Sequence, residues 1–329
     1  MRKSSYKMVN KIIKKELQNE FVMELFKTAK ELMPIVDGVI ATPISFEQQK
    51  LSECNVFSFH NCEKYIRERL PLFYKEFLRM KRDGELHYSR SFAGNASCDN
   101  YTGELWLGRE DTIQDDLFMI HEFMHHMNLK PINKNKDVNQ NVLLRELFGE
   151  SLSIMGELDF GSTIEDEKLK QDLIRAEANN MLVCKDCAVK VKVELFLLEL
   201  FIKYGELSEE IIKAEIESCS DVELALLVAD NYESILVSID GWGANLKFGF
   251  NLKYVLGVVV GYHLAEVAKK DSDICYRLAI VCRRMYELSI DDFCKLFELD
   301  LNDTELVNKY INKVRKIESY MKGQQKVVS

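Results

Sequence analysis

Proline, glycine and histidine are scarce in this chain. Four prolines and fifteen glycines in 329 residues leave long stretches with nothing to interrupt a helix. Together with the Leu-, Ile-, Lys- and Glu-rich segments between them, they predict a mainly α protein. No apolar run reaches the roughly 20 residues that span a bilayer. The most apolar long stretch, Leu252–Ala268, is shorter and carries His263 and Glu266. Gly257 and Gly261 within it predict a close helix contact inside the protein rather than pairing in a membrane. Excess positive charge is absent too. The net charge of −9 argues against nucleic acid as a partner, and the basic start from Arg2 to Lys15 predicts a solvated helix face. That same segment lacks an apolar h-region, so no secretory leader is expected. Nine cysteines, an odd number without framework spacing, predict reduced thiols and a cytoplasmic protein. Cys184 and Cys187 form a CxxC in an apolar, helix-like run with no second pair, the pattern of packed thiols. Cys54 and Cys62 around His60 are weaker still as a metal pattern.

Against this background the stretch His121-Glu122-Phe123-Met124-His125 stands out. With only six histidines in the chain, a chance HExxH is roughly a one-in-a-hundred event. On a helix, residues at i and i+4 share a face, so His121 and His125 can offer two imidazoles to one ion. Glu122 lies about 100° around the helix, where its carboxylate reaches a water at that ion rather than the ion itself. The pattern is that of a zinc hydrolase with two ligands and a general base. Leu117–Ile120, Phe123, Met124 and Met127 supply the apolar surround that a buried metal-binding helix needs. His126 has no partner at the motif spacing and reads as a neighbour of the site.

The organisation around the motif is legible in outline. Residues up to about Lys81 read as helices punctuated at Pro34, Pro43 and Pro71, and Arg82-Asp83-Gly84 as a turn. The β region follows, with one strand over His87–Phe92, another over Tyr101–Leu107 and the turn between them over Asn95–Asn100. In the second strand Leu105 and Leu107 share one face and Trp106 takes the other. Thr112 starts the HExxH helix, with Asp115 completing a capping-box pattern. Asn128–Asn141 reads as a polar loop, Val142–Phe160 as the next helix, and the rest as helices broken near Gly161, Gly205, Asp240-Gly241 and Asp271–Asp273. The expected division is a helical region over 1–84 and a catalytic domain over 85–329.

A catalytic zinc keeps three protein ligands and one open position. Glu146 and Glu150, one turn apart on the following helix, both flank its apolar stripe of Leu144, Phe148, Leu152 and Met155, and either can be the third ligand. Glu157, two turns beyond Glu150, can accept the ring N–H of a ligand histidine.

These segments together resemble the M3 family of zinc metallopeptidases, the thimet oligopeptidase and oligopeptidase F group. DTIQDDLFMIHEFMHHM is similar to that family's HExxH helix, and FGESLSIMGELDF to its third-ligand segment. NLKYVLGVVVGYHLAEVA looks like its tyrosine-bearing helix and CKLFELDLNDTELVNKYINKV like its C-terminal end, so the likeness runs from about Asn95 to Val314. The resemblance implies Glu150 as the third ligand, a helical zincin-like fold with a small β-sheet beside the HExxH helix, one Zn2+ per chain, and hydrolysis of peptides. It also implies Tyr254 as a donor to the oxyanion, with Tyr262 and His263 as alternatives for that role. The segment departs from the family in having no histidine just ahead of Tyr254, and about 90 residues precede the β region where the family has a long helical half. A peptide is expected to pair along the Tyr101–Leu107 edge, with Leu105 and Trp106 among the substrate contacts. No nucleic-acid or membrane partner is expected. Two other readings remain: a thermolysin-like hydrolase with Glu146 as the ligand, and a metal-stabilised helical protein that binds peptides without cleaving them.

Overall fold

The computed structural model describes residues 3–54, 60–134, 142–241, 246–271, 273–284 and 287–328. Helices dominate, as the shortage of proline and glycine requires. α1 (Lys3–Glu16), α2 (Glu20–Glu31) and α3 (Met33–Ala41) open the chain, and α4 (His60–Arg69) and α5 (Pro71–Asp83) follow. Pro71 occupies the first turn of α5, where its missing N–H costs nothing, and Gly84 ends that helix in the left-handed conformation. Three short strands come next: β1 (Leu86–Ser89), β2 (Ala96–Cys98) and β3 (Leu105–Gly108). Then come α6 (Ile113–Lys134), α7 (Val142–Ser162) and α8 (Glu167–Tyr204). The remaining helices are α9 (Glu209–Ser218), α10 (Val222–Gly241), α11 (Phe248–Lys270), α12 (Ile274–Arg284), α13 (Ile290–Leu296) and α14 (Thr304–Val328). Among the described residues no helix is long and apolar enough to cross a membrane.

The chain forms two compact units, each assembled from two stretches. One comprises Met1–Pro43 and Val183–Val255, the other Ile44–Leu182 and Leu256–Ser329. In the first, α1 packs on α10 and α9 packs on α10, around buried Val9, Ile13, Val228 and Leu236. Asn10 ties α1 to the α8–α9 turn, donating to the Leu207 carbonyl and accepting its N–H.

The second unit holds the sheet and the HExxH helix. The sheet order is β1-β3-β2. β1 runs parallel to β3, with Leu86 opposite Leu105, and β2 runs antiparallel to it, with Ser97 opposite Trp106. This differs from the expected hairpin of His87–Phe92 with Tyr101–Leu107. Residues 90–92 coil into a short 3₁₀ turn, and the segment read as a turn contains β2. Ala96-Ser97-Cys98 is a run of small residues without a β-branched or aromatic side chain, so it carries no strand signal of its own. The alternation in β3 holds: Leu105 and Leu107 are fully buried, and Trp106 faces the other way, stacked on His87 at 3.9 Å.

α6 lies against this sheet and packs on α7 and α12. It buries residues on every side, from Leu117 and Met119 to Phe123, Met124 and Asn128, as expected of a helix in the centre of a unit. Phe123 meets Phe77 of α5 edge-on at 5.4 Å. Burial of one such ring stabilises by about 2–3 kcal/mol. The start of α6 differs from a simple capping box. Thr112 caps the Gln114 N–H, but the buried Asp115 carboxylate reaches further back, accepting from the N–H groups of Glu110 and Asp111 and from the Tyr88 hydroxyl. At its other end α6 continues through Pro131 to Lys134, where a loop was expected from Asn128. The rest of that expected loop, residues 135–141, lies outside the described residues.

Candidate metal centre

The helical spacing of the motif brings two ring nitrogens together. His121 Nε2 and His125 Nε2 are 3.1 Å apart on one face of α6. From α7, the buried Glu150 places one carboxylate oxygen 3.2 Å from His121 Nε2 and the other 3.4 Å from His125 Nε2. A tetrahedral ion with bonds of about 2.0–2.2 Å separates its ligand atoms by about 3.3–3.5 Å. Each imidazole therefore stands near that spacing from one oxygen of Glu150, a different oxygen for each, and His121, His125 and Glu150 can hold a metal ion.

Two packing features place Glu150 there. α7 packs along α6, and α11 crosses behind Glu150 at Gly257. A Cβ at Gly257 would stand 2.8 Å from Glu150 Cβ, and one at Gly261 would stand 2.8 Å from Ile154. The two glycines thus form the close helix contact their spacing predicted, and its partner is the turn of α7 that carries Glu150. Ser151 fastens the contact by donating to the Leu256 carbonyl at 3.1 Å.

The charges of the cluster offset one another. Burial disfavours a charged His121 ring, but Glu150 and Glu157 outweigh it and hold the imidazole well above its usual range. Burial would likewise push the Glu150 carboxyl up, yet His125 and His121 hold it well below the ordinary carboxylate range. Glu150 thus favours its charged form and His121 its protonated one, and a metal ion that binds there displaces that proton. Glu157 accepts from His121 Nδ1 at 2.5 Å, as its spacing from Glu150 suggested, which leaves Nε2 as the ring nitrogen that faces His125 and Glu150. Asn180 of α8 donates to the other Glu157 oxygen at 3.4 Å.

Glu122 is buried on the neighbouring face of α6. At the end of β2, burial pushes the Cys98 thiol up, and the Glu122 charge pushes it further. His126, the neighbour of the motif, is buried with Nδ1 2.7 Å from the Gly103 carbonyl and Nε2 3.0 Å from Glu76. It pins the turn between β2 and β3 to α6 and α5. Gly103, at φ 77°, packs directly on that ring, where a Cβ would stand 2.9 Å from Nδ1.

The other residues singled out in the sequence fall elsewhere. Glu146 is half-buried one turn before Glu150 and is not in the cluster. Leu105 is buried in the core, and Trp106 is packed between His87 and Phe92. The expected docking edge on Tyr101–Leu107 is corrected as well: β3 is the central strand, paired on both sides, and the outer strand beside it is β2. Tyr254 belongs to the first unit, with the Phe250 ring at 5.1 Å and the Lys253 ammonium over its own ring. Tyr262 lines a separate cavity, with Lys313 over its ring. His263 is occupied by the C-terminal segment, with Nε2 3.1 Å from the Phe297 carbonyl and Nδ1 3.2 Å from Lys309. Sequence reasoning missed Cys98, Asn180 and the Glu76–His126–Gly103 link. Gly103 beside Asn100 was the only local signal for that link.

Comparison with protein-family models, with curated proteins and with solved structures gives no match.

Proposed function

We propose that this chain is a zinc metallopeptidase of the helical zincin type, similar to the M3 family, acting on peptides or unfolded segments. The donor triangle of His121, His125 and Glu150, with Glu122 buried one position along α6, supports this reading most. Two imidazoles and one carboxylate suit zinc. A bound zinc supplies a Lewis acid that acidifies water and polarises a carbonyl. Glu122 takes a proton from the attacking water and returns it to the leaving amine. Glu157 holds His121 in the tautomer whose Nε2 faces the site. An extended peptide would add to the outer edge of β2, the strand that ends at Cys98.

The test compares the wild type with Glu122→Gln and with the double variant His121→Ala, His125→Ala. Glu122→Gln should keep about one zinc per chain while peptide hydrolysis falls by roughly two to four orders of magnitude. The double variant should lose the metal. Zinc content unchanged in the double variant would sink the site. A wild type that cleaves nothing in a broad peptide library would favour a binding protein instead.

A further inference from the structure

Behind His121, on the side of Glu157, lies a cavity of about 300 Å³ lined from α6, α7, α8, α11 and α14. Neither His121, His125 nor Glu150 lines it. Its polar groups are graded. Glu157 is nearly fully buried, the Glu177 side chain is 18% exposed, Lys313 is 34% and Lys170 is 44%, while Lys269 is exposed. Acids therefore sit at the inner end and lysines toward the mouth. Between them Leu158, Leu173, Ile174 and Val258 make an apolar wall. Lys313 meets Glu177 at 2.8 Å, yet burial still holds the Glu177 carboxyl above its usual value. A cation delivered into the inner end would relieve that penalty.

We propose that this cavity is a second binding site, for a free α-amino acid with an apolar side chain, and that its occupancy is felt at the metal centre through Glu157. The ligand ammonium meets Glu177 and Glu157. Its carboxylate meets Lys313 and Lys269, and its side chain covers the apolar wall. The volume lies at the small end of ligand pockets and suits a ligand of that size. Coupling follows from the geometry of one side chain. Glu157 presents one oxygen to His121 Nδ1 and the other to Asn180, both Glu157 and Asn180 line the cavity, and a ligand that draws on this carboxylate changes how firmly it holds the ring. Linkage then requires zinc and the amino acid to alter each other's affinity by the same factor. The coupling half rests on the metal-site reading, whereas the binding half does not.

The probe is L-leucine, titrated calorimetrically into the full chain with and without zinc. Saturable binding is expected in metal-free protein. Leucinamide lacks the carboxylate and N-acetyl-leucine lacks the ammonium, so each should bind at least about tenfold more weakly. Ile174→Trp fills the cavity and should abolish binding, with circular dichroism verifying the fold. Zinc affinity, measured by chelator competition, should shift roughly fivefold or more when leucine is saturating. Absence of saturable binding, equal binding of the two blocked analogues, or binding that survives Ile174→Trp overturns the site. Binding that requires zinc places leucine at the metal and also overturns it. Leucine binding that leaves zinc affinity unmoved overturns the coupling, and loss of zinc binding with leucine binding intact separates the failure of the metal reading from that of this one.

Discussion

Glu157→Ala tests how much of the metal site depends on a residue that does not touch the metal. In the native chain the Glu157 carboxylate holds His121 Nδ1 at 2.5 Å and is itself buried. Without it His121 can adopt either tautomer and rotate, and its Nε2 loses the electron density that a hydrogen-bonded carboxylate lends it. Orienting carboxylates of this kind are worth about 10–100-fold in metal affinity, or about 1.4–2.7 kcal/mol. Glu157→Gln keeps an acceptor oxygen without the charge and should fall between the wild type and Glu157→Ala. Glu146→Gln, one turn from Glu150 but outside the cluster, should leave the affinity within about twofold. Competition with a chromophoric chelator at neutral pH reads all three dissociation constants. Zinc binding by Glu157→Ala as tight as that of the wild type, or a loss in Glu146→Gln as large as in Glu157→Ala, would refute this role of Glu157.

Other outcomes follow from single contacts. Gly257→Ala places a methyl 2.8 Å from Glu150 Cβ, so α11 must move off α7. It should cost about 1–3 kcal/mol in denaturant unfolding and weaken zinc binding, whereas equal zinc affinity would mean that the helix contact does not position Glu150. Asp116, buried beside the Cys62 thiol, has its carboxyl pushed from 3.8 up to about 7, chiefly by burial. Because its folded value is the higher one, its contribution to stability is present below about pH 4 and is lost as pH rises to about 7. Asp116→Asn should therefore be near neutral at pH 4 and stabilising at pH 8, by at most roughly 4 kcal/mol, and the same unfolding free-energy change at both pH values would refute the shift. If substrates dock along the outer edge of β2, one cleavable sequence should be cut both as a short peptide and within a long unfolded chain. Strict rejection of the long form, seen by mass spectrometry, would sink the open-edge idea.

Most of the candidate metal centre was legible in the chain because its pieces are local. His121, Glu122 and His125 depend only on helical spacing, and Glu157 lies two turns from Glu150 on a helix whose apolar stripe was readable. The mainly α class followed from the shortage of helix breakers. The β region was harder. β1 and β3 are brief, and β2 has small residues whose pairing is decided by what they pack on, so a hairpin was expected where β3 instead takes both neighbours.

The sequence by itself determined which face of α6 carries the two imidazoles, since i and i+4 superpose whatever the surroundings. It also determined that Gly257 and Gly261 would allow a close helix approach. Only the tertiary structure decided that α7 presents Glu150 rather than Glu146, because the choice depends on how α7 is rotated against α6 and α11, and two glutamates one turn apart look alike in one dimension. It also decided that β3 is interior and β2 the outer strand, and that His263 serves the C-terminal segment. Those outcomes are set by contacts between residues far apart in the chain, which no local periodicity records.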